Sequence, residues 1–236
     1  MKAKIQISKN NLNTLENSEE AFAEGGSWER NGGRKQTYIF AKSFIKNIKI
    51  PYDTFSLLDL ACALGDGAPI LKRKYPNARI YGCDFSTTAI KRASILNRNY
   101  ANFFVSSIDE ISSNFDVIYC SNVIEHIENW YSIVEELISF AKITYIIVPY
   151  SEKDEFGNDL SLSSGCYHIN TFNEYSFDKF KLNNIDVDYK IYTAPGAWGP
   201  NKMGRLINRL KRLLGRSNAP DYKQICFIFK KNIYHV

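Results

Sequence analysis

The sequence predicts an α/β fold in which five parallel strands and an antiparallel pair form one sheet with helices on both faces. Short apolar runs alternate with helical patterns between residues 56 and 149, as in a parallel sheet buried on both faces. After Pro149, two runs of alternating polarity, 185–192 and 224–230, predict the antiparallel pair. With 236 residues, 44% of them hydrophobic, the chain can bury a substantial core.

The N-terminal residues 1–35 are interpreted as an arm or lid, and residues 36–236 as the α/β domain. Residues 1–27 have weak periodicity, and glycines flank the segment that holds Trp28. From residue 36 to 48, apolar side chains such as Phe40 and Phe44 follow helical spacing. Pro51 ends that helix.

The organising stretch is Ser56–Leu71. The apolar run 57–63 predicts a buried strand, the glycines at 65 and 67 predict a turn, and a helix is expected from 68 to 75. Pro69 suits a first helical turn, where its missing N–H group costs nothing. A strand, a glycine turn and a helix in this order bring a ligand against the N–H groups of a helix N-terminus.

The later elements follow the same alternation. In order, we expect strand 79–83, a helix capped by Ser86 and ending near 97, strands 102–105 and 115–120, helix 130–140, strand 143–148 and helix 173–180. Gly65, Asp84, Ser107, Asn122 and Tyr150 come directly after strands, so they should converge on one crevice at the carboxyl ends of the sheet.

Two further segments favour a small, anionic substrate. The polar loop at about 150–170 is long enough to be functional, and it should lie over the part of the crevice that binds the substrate. The helical pattern at about 202–216 has an apolar stripe and a basic face that includes Arg205. The formal charge of +5 is therefore unevenly placed, although a solvated helix face would give the same pattern.

Composition narrows the protein class. No apolar run reaches the roughly 20 residues that span a bilayer, and the N-terminal residues lack the apolar segment of a signal peptide. The five cysteines are scattered without the spacing of metal ligands. We therefore expect a cytoplasmic protein with reduced core thiols, no metal and no membrane span.

Three segments together resemble the motifs of class I S-adenosylmethionine-dependent methyltransferases. Leu57–Gly65 is similar to the first motif and Ile80–Ser86 to the second. Phe115–Ile118 with Asn122–Ile127 resembles the fourth-strand motif of the small-molecule branch. The likeness covers about residues 55–149, and each motif alone is weak, but the ordered set is specific.

The resemblance implies S-adenosylmethionine as cofactor. Asp59 would offset the positive charge of its amino-acid end, and Asp84 would accept both ribose hydroxyls. Arg34 of the arm would bind the cofactor carboxylate with two hydrogen bonds. The expected cofactor-binding residues are Asp59, Ala61, Gly65, Asp84, Phe85, Ser107, Ile108, Asn122 and Arg34.

The sequence departs from the family pattern after the first and third strands. Ala61 and Ala63 stand where the family usually has glycine, and Ser107 stands where it often has an acid. A dinucleotide-binding oxidoreductase is the competing class, because Asp84 has the spacing of a ribose-binding acid. Its glycine pattern fails at Ile70, which disfavours that class.

The acceptor side points to an O-methyltransferase acting on a small, anionic metabolite, such as a nucleotide-linked sugar, a surface-glycan precursor or a phosphorylated intermediate. His168 and His126 are the candidate general bases, and both have structural roles as alternatives. Tyr150, Tyr167 and Arg205 are candidate substrate contacts. N-methylation of an amine such as an amino sugar is one alternative, and a nucleic-acid or protein methyltransferase is another. The oligomeric state is left open.

Overall fold

The computed structural model describes residues 14–151, 168–181, 185–194 and 223–231, which include a seven-stranded sheet. The strands are β1 Ser56–Leu60, β2 Arg79–Asp84, β3 Asn102–Val105, β4 Phe115–Ser121, β5 Ala141–Pro149, β6 Asp186–Thr193 and β7 Lys223–Lys230. Their order is β3-β2-β1-β4-β5-β7-β6. The first five are parallel, and β7 pairs antiparallel with both β5 and β6. The predicted fold class is confirmed.

The helices alternate with the parallel strands. They are α1 Leu15–Phe22, α2 Ser27–Arg30, α3 Gly33–Asn47, α4 Ala68–Lys74, α5 Thr87–Asn97, α6 Trp130–Ser139 and α7 Asp178–Lys181. Ser86 caps α5 as predicted, because its Oγ accepts the N–H of Ala89 at 3.0 Å. None of the helices in the described ranges has the length and apolar character needed to cross a membrane.

Both faces of the sheet are buried, since successive residues of β1 and β4 belong to opposite sides. On one side, Phe44 of α3 packs against Tyr119 and Tyr145, with ring centroids 4.8 and 5.2 Å apart. On the other side, α6 and α7 cover aromatic rings that include Phe177 and Phe227, 4.3 Å apart. Burying one such side chain contributes roughly 1.5–3 kcal/mol. The four described cysteines are buried and form no disulfide with one another.

The structure differs from the prediction at several element ends. The strand predicted over 57–63 ends at Leu60, because Ala61 and Ala63 have positive φ angles that cannot continue a strand. The helix predicted over 173–180 is reduced to Asp178–Lys181. The arm contains two helices, α1 and α2, which the sequence pattern did not predict. The basic segment 202–216, Tyr167, Arg205 and nearly all of the loop 150–170 lie outside the described residues.

Candidate active site

The carboxyl edge of the sheet carries unusual backbone conformations. Ala61 (φ 56°) and Ala63 (φ 50°) follow β1, Asn122 (φ 58°) follows β4, and Ser151 (φ 45°) follows β5. Within the described ranges these are the non-glycine residues with positive φ. Each such conformation costs an L-residue roughly 1–2 kcal/mol, and strained residues cluster at functional sites.

The turn after β1 packs closely against its neighbours. Gly65 has a φ of +69°, and a Cβ atom there would lie 2.7 Å from the ring of Phe103. A Cβ atom on Gly67 would lie 3.2 Å from Oδ2 of Asp59. The two glycines therefore allow the turn to pack against Phe103 of β3 on one side and the Asp59 carboxyl group on the other.

Asp59 places a buried carboxyl group beneath this turn. Its side chain is 5% exposed, and Oδ2 has no hydrogen-bond partner among the described residues. Burial, with a smaller contribution from the charge of Asp84, raises the pKa of Asp59 to about 8. A cationic ligand at this oxygen would relieve the cost of ionising it, so the site suits a positively charged group.

Asp84 holds the turn in place. Its Oδ2 accepts the N–H of Ala63, and its Oδ1 accepts the N–H of Ser86, both at 3.0 Å. Burial raises the pKa of Asp84 to about 6, partly offset by these two hydrogen bonds and increased further by the charge of Glu19. Each carboxylate oxygen retains acceptor capacity for a ligand hydroxyl.

The residues after β2 and β3 lie on the neighbouring strand ends. Phe85 is half-buried directly after Asp84. Ser107 caps the 3₁₀ turn Ile108–Glu110, and its N–H donates to Oε2 of Glu110 at 3.1 Å. The capping box occupies one acceptor site of the Ser107 hydroxyl, and Ile108 is almost fully buried. The contacts of these residues with the adenine remain a prediction.

Arg34 binds the turn after β1. Its Nη2 donates to Oδ1 of Asp66 at 2.8 Å, and its Nε lies 3.1 Å from both Asp66 carboxylate oxygens. The hydrogen bond to Asp66 raises the pKa of the Arg34 guanidinium. Its side chain is still 42% exposed, so the predicted contact with a cofactor carboxylate remains a prediction.

The arm packs on the same edge of the sheet. Glu19 of α1 accepts the N–H groups of Thr87 at 2.7 Å and Thr88 at 3.0 Å, at the N-terminus of α5. Phe22 packs with Ala63 and with other apolar residues of the turn after β1 and of α5. The arm thus covers the end of the site where Asp84 lies.

Arg92 of α5 binds the arm through three hydrogen bonds. Its Nη1 donates to the carbonyls of Phe22 and Ala23 at 2.8 and 3.0 Å, and its Nη2 donates to Glu29 at 2.6 Å. These bonds tie both helices of the arm to α5. Glu19 and Arg92 were not predicted as site residues, because their partners are more than 60 residues away in sequence.

Beyond the end of β4, the structure brings the two candidate histidines together. His126 ends the 3₁₀ turn Ile124–His126, and its ring centroid lies 4.8 Å from that of His168 in an edge-on arrangement. The N–H groups of Ile169 and Asn170 donate to the carbonyl of Glu125 at 2.9 and 3.1 Å, which holds the two segments side by side.

Asn122 and Tyr150 occupy the ends of β4 and β5. Oδ1 of Asn122 accepts a hydrogen bond from Nε2 of Gln224 at 2.7 Å, which orients the Asn122 amide. The Tyr150 hydroxyl donates to Glu174 at 2.9 Å, and this hydrogen bond is the main reason that the pKa of Tyr150 is raised. Gln224 was not predicted as a site residue, since it belongs to a strand remote in sequence.

This architecture, a mixed seven-stranded sheet with a glycine turn and acids at the ends of β1 and β2, is that of the class I methyltransferases. Residues 58–143 match the family model described as a methyltransferase domain. This match agrees with the S-adenosylmethionine-dependent class that the motifs indicated. A search of curated proteins finds no match.

Solved structures share the fold. The plantazolicin methyltransferase BpumL, in complex with a monoazolic desmethylPZN analog and SAH, is 22% identical over 92% of this chain and 98% of its own, with a TM-score of 0.60. Magnesium protoporphyrin IX methyltransferase from Synechocystis PCC 6803 with bound SAH is 14% identical over 97% and 90%, with a TM-score of 0.53. Coclaurine N-methyltransferase, bound to N-methylheliamine and SAH, is 13% identical over 82% and 72%, with a TM-score of 0.59.

Proposed function

We propose that the protein is an O-methyltransferase that uses S-adenosylmethionine to methylate a hydroxyl group of a small metabolite. The observation that carries the proposal is the pairing of His126 and His168, whose rings lie 4.8 Å apart at the carboxyl edge of the sheet. A group that assists loss of a hydroxyl proton accelerates a reaction typically 10²–10⁴-fold. Amines need less assistance, which favours a hydroxyl acceptor beside this pair.

The cofactor fits the residues present. Oδ2 of Asp59, which has no hydrogen-bond partner among the described residues, lies beside Gly67 and suits the positive end of the cofactor. The second acid, Asp84, suits the ribose hydroxyls. When bound, S-adenosylmethionine supplies an activated methyl group on a positively charged sulfur.

The chain contributes alignment and exclusion of water. Transfer of a methyl group requires the acceptor oxygen to approach in line with the bond that breaks, so holding the acceptor can supply much of the rate. Asn122 and Tyr150 are the proposed orienting groups near the histidine pair, with Tyr167 and Arg205 as further substrate contacts. The arm that covers Asp84 is the proposed lid.

We further propose an anionic acceptor, such as a nucleotide-linked sugar, a surface-glycan precursor or another phosphorylated intermediate. The support is the run of basic residues between 202 and 216, which includes Arg205. Methylation of an amine or of a macromolecule, the alternatives to this acceptor, would be detected by the mass-spectrometric screen described next.

The test is a mass-spectrometric screen of metabolite pools incubated with the protein and S-adenosylmethionine. The expected product carries one added methyl group on an oxygen of a phosphorylated or sugar-linked compound. On that acceptor, His168→Ala should lower kcat about 100-fold or more while the Kd for the cofactor stays within about twofold. A methylated nitrogen, or unchanged turnover by the variant, would overturn the O-methylation proposal.

A further inference from the structure

We propose that Glu125, His126 and His168 form a divalent metal site on the acceptor side of the pocket. One carboxylate oxygen and one nitrogen from each imidazole all lie within 4.8 Å of one another. This inference rests on the proposed function, because the ion would bind the hydroxyl group that is methylated. The cysteine spacing pointed away from a metal, and the two histidines are too far apart in sequence to signal one.

The donor set matches known metal chemistry. Two imidazole nitrogens and one carboxylate oxygen are typical ligands of zinc and of other first-row divalent ions, and three protein ligands leave a position open for a substrate. Donors around a tetrahedral zinc ion stand roughly 3.4 Å apart, as follows from bond lengths of about 2.1 Å. Small side-chain rotations at Glu125, His126 and His168 therefore close the site.

The backbone around the cluster is pinned. The carbonyl of Glu125 accepts the N–H groups of Ile169 and Asn170 at 2.9 and 3.1 Å. Nδ2 of Asn170 donates to the carbonyl of Ile127 at 2.8 Å. His168, directly before Ile169, thus lies beside the turn that carries Glu125 and His126. Metal sites depend on such supporting contacts to orient their ligands.

Burial gives the cluster a closed side and an open side. Glu125 is 0% exposed, whereas His126 and His168 are half-buried. A divalent cation beside a buried carboxylate offsets part of the cost of burying its charge. The histidine side faces outward, so an acceptor hydroxyl can reach the open position.

In this site the imidazoles act on the acceptor through the metal ion. Coordination lowers the pKa of the acceptor hydroxyl, which releases its proton to solvent. The oxygen then forms a bond to the methyl carbon, and the electron pair of the carbon–sulfur bond returns to sulfur. The sulfur becomes a neutral thioether, and the acceptor becomes a methyl ether.

The experiment measures Co²⁺ binding to the full chain after chelator treatment, by equilibrium dialysis and by the visible spectrum of the ion. We expect one Co²⁺ per chain with the spectrum of nitrogen and oxygen ligands. His126→Ala and His168→Ala should each weaken binding about tenfold or more. Glu128→Gln is the matched control, because Glu128 is an exposed acid just after the same turn, and it should bind Co²⁺ as the wild type does.

Calorimetric titration of the same wild-type sample with S-adenosylmethionine separates the two proposals. Cofactor binding without stoichiometric Co²⁺ binding would overturn the metal site alone. Co²⁺ binding without cofactor binding would support the metal site and overturn the proposed function. Undiminished Co²⁺ binding by both histidine variants would also overturn the metal site, and the wild-type stoichiometry tests it even where a variant does not fold.

Discussion

Asp59 combines a buried carboxyl group with an oxygen that has no hydrogen-bond partner among the described residues. Its pKa of about 8 means that the folded protein binds this proton more tightly than the unfolded chain does. The free energy of unfolding therefore falls as the pH rises toward 8, where the folded protein loses this proton. For one group, the slope is at most about 1.4 kcal/mol per pH unit.

Asp59→Asn should remove that dependence. Between about pH 6, where the pKa of Asp84 lies, and about pH 8, the free energy of unfolding should fall with pH in the wild type and stay flatter in the variant. Urea denaturation at several pH values measures the difference. Asp53→Asn, at an exposed aspartate, is the control and should follow the wild type. Parallel curves for wild type and Asp59→Asn would show that Asp59 is ionised in the fold.

Ala63 has a conformation that suits glycine better, with a φ of 50°. Ala63→Gly should therefore be neutral or stabilising by up to about 1 kcal/mol, since relief of the left-handed strain offsets the greater entropy of the unfolded chain. Ala41→Gly, at a buried alanine in the middle of α3, should destabilise by about 1 kcal/mol or more. A loss of more than 1 kcal/mol in Ala63→Gly would contradict the strain argument.

At the scale of elements, the arm depends on Arg92. Arg92→Lys cannot reproduce its three hydrogen bonds to Phe22, Ala23 and Glu29. The loss should be about 1.4 kcal/mol or more, which corresponds to roughly tenfold faster amide exchange in α1 and α2. Hydrogen exchange read by mass spectrometry measures it.

Arg98→Lys is the matched control for the arm, because Arg98 is an exposed arginine immediately after α5. It should leave exchange in α1 and α2 unchanged. If Arg92→Lys also leaves exchange unchanged, the packing of Phe22 and the Glu19 contacts hold the arm without the guanidinium.

Elements that are specified by their own residues could be predicted from the sequence. Strand 102–105 and the Ser86 cap were predicted as the structure has them, because an apolar run and a capping residue act locally. Helix α1 was missed, since its stability comes from Glu19 and Phe22 contacting residues far along the chain. Tertiary packing of this kind leaves little trace in periodicity.

The site shows the same division. Topology alone predicted that Gly65, Asp84 and Asn122 would lie at one edge, because parallel strands present their carboxyl ends together. The partners of Arg34 and Asn122, which are Asp66 and Gln224, depend on side-chain geometry that no motif encodes. The contact between His126 and His168 likewise required the fold of the loop before α7.

For the whole molecule, cofactor binding and stability are linked. A ligand that binds only the folded chain stabilises it by about 2.7 kcal/mol at a concentration 100 times its Kd. S-adenosylmethionine should therefore raise the Tm by several degrees, whereas a nicotinamide dinucleotide should not. Equal shifts with both ligands would contradict the assignment of the site. Asp84 alone does not separate the two ligands, but Asp59 suits a cationic amino-acid end, which only S-adenosylmethionine has.

The most direct test of the central claim is calorimetric titration of the protein with S-adenosylmethionine across pH. We expect one cofactor per chain, with an affinity that rises between about pH 6 and 8 as Asp59 loses its proton, and a weaker affinity in Asp59→Asn that lacks this rise. Absence of binding, or binding by Asp59→Asn that equals the wild type at every pH, would contradict it.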